Sequence, residues 1–82
     1  MTLNQAVTKR VREILNEKNM TQYRLEQISG LNHGTMTSFL SGRYKSCNLT
    51  TLVLIIRAFG MTAKEFFDSP LFDFENLEIE EK

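Results

Sequence analysis

The middle of this 82-residue chain combines small polar side chains with a short basic cluster. From Asn32 to Ser41 there is no Asp, Glu, Lys or Arg, and a basic, aromatic cluster follows directly. The polar residues are His33, Gly34, Thr35, Thr37, Ser38 and Ser41, and the cluster is Arg43, Tyr44 and Lys45. Hydroxyl and imidazole groups donate and accept hydrogen bonds, and cations bind anionic groups such as phosphate. These residue types favour a binding surface.

The sequence lacks the combinations of residues that typically catalyse the breaking of bonds. His33 and Cys47 are the one histidine and the one cysteine of the chain, 14 positions apart, so the ligand set of a zinc site is lacking. No glycine-rich loop follows a candidate strand, as phosphate-binding enzymes require. We therefore expect no enzyme, no metal and no cofactor. Cys47 is interpreted as a small apolar residue, with redox sensing as the less favoured alternative.

The segment from Thr21 to Gly42 has the outline of two short helices joined by a tight turn. Thr21 caps the first helix, which carries Leu25 and Ile28 on one face, and Gly30 lies where the chain must reverse with positive φ. The second helix is capped by Asn32, follows an inward Leu31, and buries Met36, Phe39 and Leu40.

This arrangement is typical of a DNA-binding helix-turn-helix, whose second helix enters the major groove. An ordinary αα-hairpin in a helical bundle is the alternative. A surface helix of a bundle usually carries Glu, Lys and Arg, so the small uncharged face after Asn32 favours DNA binding.

The stretch from about Met20 to Asp68, about 49 residues, resembles the lambda-repressor/Cro-type (XRE) helix-turn-helix family of prokaryotic and phage regulators. The matching motifs are Thr21-Gln22-x-x-Leu25, Gly30-Leu31-Asn32, Thr35-Met36-x-x-Phe39-x-x-Gly42 and Leu49-x-x-Leu52-x-x-Ile55-x-x-Ala58-Phe59-Gly60-Met61-Thr62-x-x-Glu65-Phe66-Phe67. Glu26 departs from the pattern, since the family prefers a small residue where the two helices approach, and Cys47 stands where Pro is frequent.

The resemblance implies which residues contact DNA. Base contacts are expected from His33, Gly34, Thr35 and Ser38, at the start of the recognition helix. Phosphate contacts are expected from Gln22, Asn32, Thr37, Arg43, Tyr44 and Lys45. Gln22 could also brace His33, and Gly34 either lets the backbone approach DNA or has no role. Tyr23 and Arg24 are weaker candidates, and Arg10 and Arg12 are interpreted as a solvated face.

Charge is unevenly distributed, although the chain is neutral overall. Residues 1–69 carry nine Lys or Arg against five acids, a net +4, whereas residues 70–82 carry −4. We expect a helix-turn-helix domain at 1–69 and an acidic, apolar-containing tail at 70–82. The sequence contains no apolar run that could span a membrane; we expect no signal peptide, and the single cysteine fits a reducing cytoplasm.

Five helix starts share one pattern, in which an apolar residue precedes a capping Thr or Asn and another apolar residue follows the cap by four positions. The predicted caps are Thr2, Thr21, Asn32, Asn48 and Thr62. Helix one, from Leu3 to about Lys18, should bury Leu3, Val7, Val11, Ile14 and Leu15, with Asn19 left-handed after it. Helix four, from Leu49 to Phe59, is apolar on more than one side, and the short fifth helix should turn Phe66 and Phe67 inward.

The sequence predicts an all-α, five-helix, lambda-repressor-like domain with a short acidic tail. The expected function is sequence-specific binding of double-stranded operator DNA by a transcription regulator, a repressor, acting as a homodimer on a palindromic site. A helix-turn-helix-fold interaction module, an antitoxin or adaptor with little DNA binding, is the alternative. For the tail, packing of its apolar residues on a partner subunit, an acidic cover over the DNA face, and a solvated chain end remain open.

Overall fold

Five α-helices followed by two short 3-10 turns make up the part of the chain that the structure describes. The computed structural model describes residues 1–42 and 48–79. The helices are α1 (Leu3–Glu17), α2 (Gln22–Ser29), α3 (His33–Leu40), α4 (Leu49–Ala58) and α5 (Ala63–Phe67), and the turns are Pro70–Phe72 and Phe74–Asn76. This order confirms the predicted all-α architecture.

Each α-helix begins at the residue that the capping pattern predicted, since the side-chain oxygen of each cap accepts a backbone N–H of the first turn. Thr2 with Gln5, and Thr62 with Glu65, complete reciprocal capping boxes. Asn19, with φ of 51°, adopts the left-handed conformation that was predicted after α1. Local capping chemistry therefore divides the chain into its helices.

One apolar core joins all five helices. It contains Val7, Val11, Ile14, Leu15, Leu25, Met36, Phe39, Leu40, Leu52, Ile55, Ile56, Phe59 and Phe66. The predicted inward positions of Leu3 and Phe67 are wrong, because their exposed fractions are 45% and 41%; Ile28, placed on one face with Leu25, is 43% exposed. Leu3 lies in the first turn of α1, and the other two lie in the last turns of their helices. Helical periodicity identifies the inward face of a helix, but it does not show whether neighbouring helices cover that face along its whole length.

Two arginines of α1 bind the ends of other helices. Arg10 donates through Nε to the carbonyl of Phe66 at 2.8 Å and through Nη2 to that of Glu65 at 3.1 Å. Arg12 donates to the carbonyl of Leu40 at 2.8 Å. The interpretation as a solvated face is incomplete: Arg12 is exposed and Arg10 is half-buried, but both donate to backbone carbonyls at a helix C-terminus.

The described part of the tail folds back on its own chain. Phe72 packs against the core, with its ring centroid 4.8 Å from that of Phe67. The amino group of Met1 donates to the carbonyl of Asn76 at 3.2 Å, and the Glu78 amide donates to the carbonyl of Met1 at 2.8 Å. Packing on a partner was one hypothesis for the tail, but Phe72 packs within its own subunit.

Candidate nucleic-acid interface

The two helices of the motif are joined by a turn that Gly30 closes. Gly30 adopts φ of 78°, in the left-handed region that glycine tolerates best, and its amide donates to the carbonyl of Glu26 at 3.0 Å. After the turn, the side-chain oxygen of Asn32 accepts the backbone N–H of Thr35 at 2.8 Å. The chain therefore reverses within a few residues, as predicted, and α3 starts with a well-formed cap.

The C-terminal end of α3 is attached to α1. The hydroxyl of Thr8 donates to the carbonyl of Phe39 at 3.4 Å, next to the contact between Arg12 and Leu40. Met36, Phe39 and Leu40 are buried, as predicted. These contacts hold the buried face and C-terminal end of α3, which leaves its N-terminal half to present side chains outward.

The predicted base-contact residues lie in the first two turns of α3, with Ser38 in the second turn. His33, Gly34 and Ser38 are exposed, and Thr35 is half-buried, so Thr35 is less outward than the sequence predicted. A Cβ atom built at Gly34 would lie 3.5 Å from the side-chain oxygen of Asn32, an ordinary contact. Packing within the protein therefore does not require glycine at this position.

The predicted phosphate-contact residues divide into two groups. Asn32 and Thr37 are exposed on α3, and Gln22 is half-buried at the start of α2. Arg43, Tyr44 and Lys45 lie outside the described residues, as does Cys47. Of the weaker candidates, Tyr23 is 66% exposed, and its hydroxyl accepts a hydrogen bond from Gln27 at 3.1 Å.

Four side chains from α2 and α3 form a closed ring of hydrogen bonds, here called the polar ring: Gln22, Glu26, His33 and Thr37. The amide nitrogen of Gln22 lies 3.0 Å from Oε2 of Glu26 and 3.3 Å from Oγ1 of Thr37. Nδ1 of His33 lies 2.9 Å from the same Glu26 oxygen, and Nε2 lies 3.3 Å from the Thr37 hydroxyl. Gln22 therefore reaches His33 through its two neighbours in the ring.

Glu26 is the one charged member of the polar ring at neutral pH when His33 is neutral. The hydrogen bond from His33, followed by that from Gln22, lowers the pKa of the Glu26 carboxyl below its ordinary value. The Glu26 side chain is 11% exposed, whereas that of His33 is 77% exposed. An ionised carboxylate therefore lies directly behind the histidine that was predicted to contact DNA.

Glu26 was not among the predicted site residues. In the sequence it stands out only as a carboxylate where the resembling family prefers a small side chain. That replacement was the available signal, because a side chain at a close helix approach must have a partner on the facing helix. Seven positions separate Glu26 from His33 across a turn, so helical periodicity does not pair them.

Comparisons with known proteins agree with this geometry. The family model of the Cro/C1-type HTH DNA-binding domain matches residues 10–70. The crystal structure of the prophage Lp1 protein 11 superposes with a TM-score of 0.78 at 27% sequence identity, covering 89% of this chain and 97% of that chain. No curated protein sequence matches. Among the described residues, no helix is long and apolar enough to cross a membrane. The chain belongs to the Cro/C1-type helix-turn-helix DNA-binding domain family.

Proposed function

We propose that this protein is a sequence-specific transcription regulator that represses by binding operator DNA through the N-terminal half of α3. The observation that carries the proposal is the outward polar face of α3, which begins at His33 and is held against α1 at its far end. A rigid helix with small polar side chains can approach base edges in the major groove. Such a regulator of prokaryotic or phage type would work in the cytoplasm.

Base and phosphate contacts have separate roles in this proposal. His33, Gly34, Thr35 and Ser38 face the bases, and the phosphate contacts come from Gln22, Asn32, Thr37, Arg43, Tyr44 and Lys45. Support comes from the placement of Gln22, Asn32 and Thr37 beside the exposed face of α3, and from the positive charge of residues 1–69, to which Arg43 and Lys45 contribute. Backbone N–H groups at the start of α3 would add to phosphate binding.

We infer that the regulator acts as a homodimer on a palindromic operator, with half-sites about 10 bp apart or a multiple of that. Support comes from large apolar side chains that remain exposed on α4 and the tail. Leu49 and Val53 are 72% and 51% exposed, and Phe74 and Ile79 are 85% and 61% exposed. Leu49 and Val53 lie four positions apart on α4 and therefore share one face, and exposed apolar patches are typical of interaction sites.

Selection of bound sequences from a random duplex pool tests the function, followed by binding of variants to the selected site. His33→Ala and Thr35→Ala should each weaken specific binding by about 1–3 kcal/mol and relax the preference at one base position. Arg43→Ala should weaken binding to all sequences about equally, since a phosphate contact carries no sequence information.

Two outcomes would contradict the proposal. If the pool yields no enriched sequence, the chain is not a sequence-specific regulator. If a sequence is enriched but His33→Ala and Thr35→Ala keep the wild-type base preferences, the recognition surface lies elsewhere on the molecule.

A further inference from the structure

When His33 is neutral, the donor and the acceptor of each hydrogen bond in the polar ring are fixed. Glu26 is an ionised carboxylate and can only accept, so Nδ1 of His33 carries the proton in their 2.9 Å contact. Nε2 is then an acceptor, and the Thr37 hydroxyl at 3.3 Å donates to it. Gln22 completes the ring, because its amide group has two N–H donors for Glu26 and Thr37.

Protonation of His33 reverses part of this ring. Nε2 then becomes a donor and can donate to the Thr37 oxygen or to a ligand. The Thr37 hydroxyl no longer has an acceptor at Nε2, so its own proton is available to an acceptor outside the protein, such as a phosphate oxygen. Protonation therefore converts this end of α3 into a better donor surface for an anionic ligand.

The net charge of the Glu26–His33 pair also favours protonation of His33 when an anionic ligand binds. With neutral His33, the pair contributes −1 to the face that we propose meets the duplex, and this charge repels phosphates. With His33 protonated, the pair is neutral. Among the described residues, Glu26 on α2 is the ionised group that contacts His33 in an ion pair, and α3 has no further ionisable side chain. A polyanion at this face therefore favours the protonated pair.

We propose that Glu26 is a positioning residue for DNA binding and that the Glu26–His33 pair takes up a proton when the duplex binds. The inference rests on the proposed function, since it requires α3 to meet DNA. Histidine is the side chain whose ordinary titration falls between pH 5 and 8. Binding linked to proton uptake must therefore strengthen as the pH falls through that range.

The first test is the affinity for a random-sequence duplex at constant salt, measured between about pH 5.5 and 8. For the wild-type chain, log K should rise as the pH falls, with a slope approaching about one proton per domain. His33→Gln, which cannot titrate but can still donate to Glu26, should remove this slope. Glu26→Gln should make the slope shallower and strengthen binding at pH 8, because it removes a negative charge from the interface.

Glu75→Gln is the matched control, since it removes one negative charge from an exposed position outside the helix-turn-helix. It should keep the wild-type slope. The same slope in the wild-type, Glu26→Gln and His33→Gln chains would overturn the inference and leave the proposed function intact. Absence of duplex binding by the wild-type chain at every pH would overturn both.

A second test needs no DNA. Imidazole ¹⁵N NMR of the free protein above the titration range should show His33 with its proton on Nδ1, and Glu26→Ala should shift it toward Nε2. A wild-type imidazole with its proton on Nε2 would overturn the positioning role. Thermal unfolding by circular dichroism checks that each variant is folded.

Discussion

At the residue scale, the first turn of α3 separates structural side chains from exposed ones. Asn32 caps the helix and Met36 anchors it in the core, whereas His33 and Gly34 lie exposed between them. Gly34 is informative because a Cβ atom there would make only an ordinary contact with Asn32. Packing within the protein therefore does not require glycine here; close approach to DNA is its proposed role, and the absence of any role is the alternative.

We predict that Gly34→Ala stabilises the fold and weakens DNA binding. Alanine is the better helix former, so the free energy of unfolding should rise by up to about 1 kcal/mol. The added methyl group would meet the duplex if the backbone of α3 approaches it closely. Thermal unfolding and duplex titration of the same preparation measure both effects. Unchanged affinity in a stabilised variant would exclude a close backbone approach at Gly34.

At the scale of elements, α1 organises the fold by binding the C-terminal ends of two other helices. Arg10 reaches α5 and Arg12 reaches α3, each through backbone carbonyls. The Arg10 guanidinium also lies 6.0 Å from the centroid of the Phe66 ring. The basic residues of α1 therefore contribute to helix positions as well as to the net charge of the domain.

We predict that Arg10→Ala lowers the free energy of unfolding by about 1–3 kcal/mol, because it leaves two carbonyls of α5 without their charged donor. Lys9→Ala is the matched control on the same helix, since Lys9 is exposed, and it should change stability by no more than about 0.5 kcal/mol. Urea unfolding of both variants makes the comparison. Equal losses would show that the Arg10 contacts add nothing to the fold.

Local chemistry made the elements predictable from the sequence. The side chain of a cap such as Asn32 accepts a backbone N–H three positions away, and the turn that contains Gly30 requires its left-handed conformation. The cap and the turn glycine therefore each depend on only a few neighbouring residues. The contacts of Arg10 with α5 join residues 55 and 56 positions apart. The contact between Glu26 and His33 likewise depends on how α2 crosses α3. Such contacts follow from the packing of helices, and the periodicity of a single helix does not contain them.

At the scale of the whole molecule, residues 70–79 of the acidic tail fold back against the helical domain. Phe72 packs against the core and its ring contacts those of Phe66 and Phe67, whereas 85% of the surface of Phe74 is exposed. Two phenylalanines of one short segment therefore have different environments. Phe72 belongs to the fold of the subunit, and Phe74 is available for the dimer that we propose.

We predict that Phe72→Ala lowers the free energy of unfolding by about 1–3 kcal/mol, less than the loss for a fully buried Phe. Phe74→Ala is its matched control, with an expected change within about 0.5 kcal/mol but weaker self-association.

Truncation after Ser69 should combine both effects, shifting the chain toward monomer and weakening operator binding. Sedimentation velocity measures the change in self-association, and thermal unfolding measures the change in stability. A monomer both free and on a single asymmetric DNA site would contradict the dimer.

The salt dependence of binding to random-sequence duplex DNA tests the central claim most directly. If α3 and the basic residues that follow it in the sequence meet the phosphate backbone, log K should fall linearly with log[salt], by about one unit per phosphate contact. Arg43→Ala should reduce that slope by about one unit. Duplex binding that is absent or independent of salt would contradict the claim and favour a helix-turn-helix fold that serves protein interaction instead.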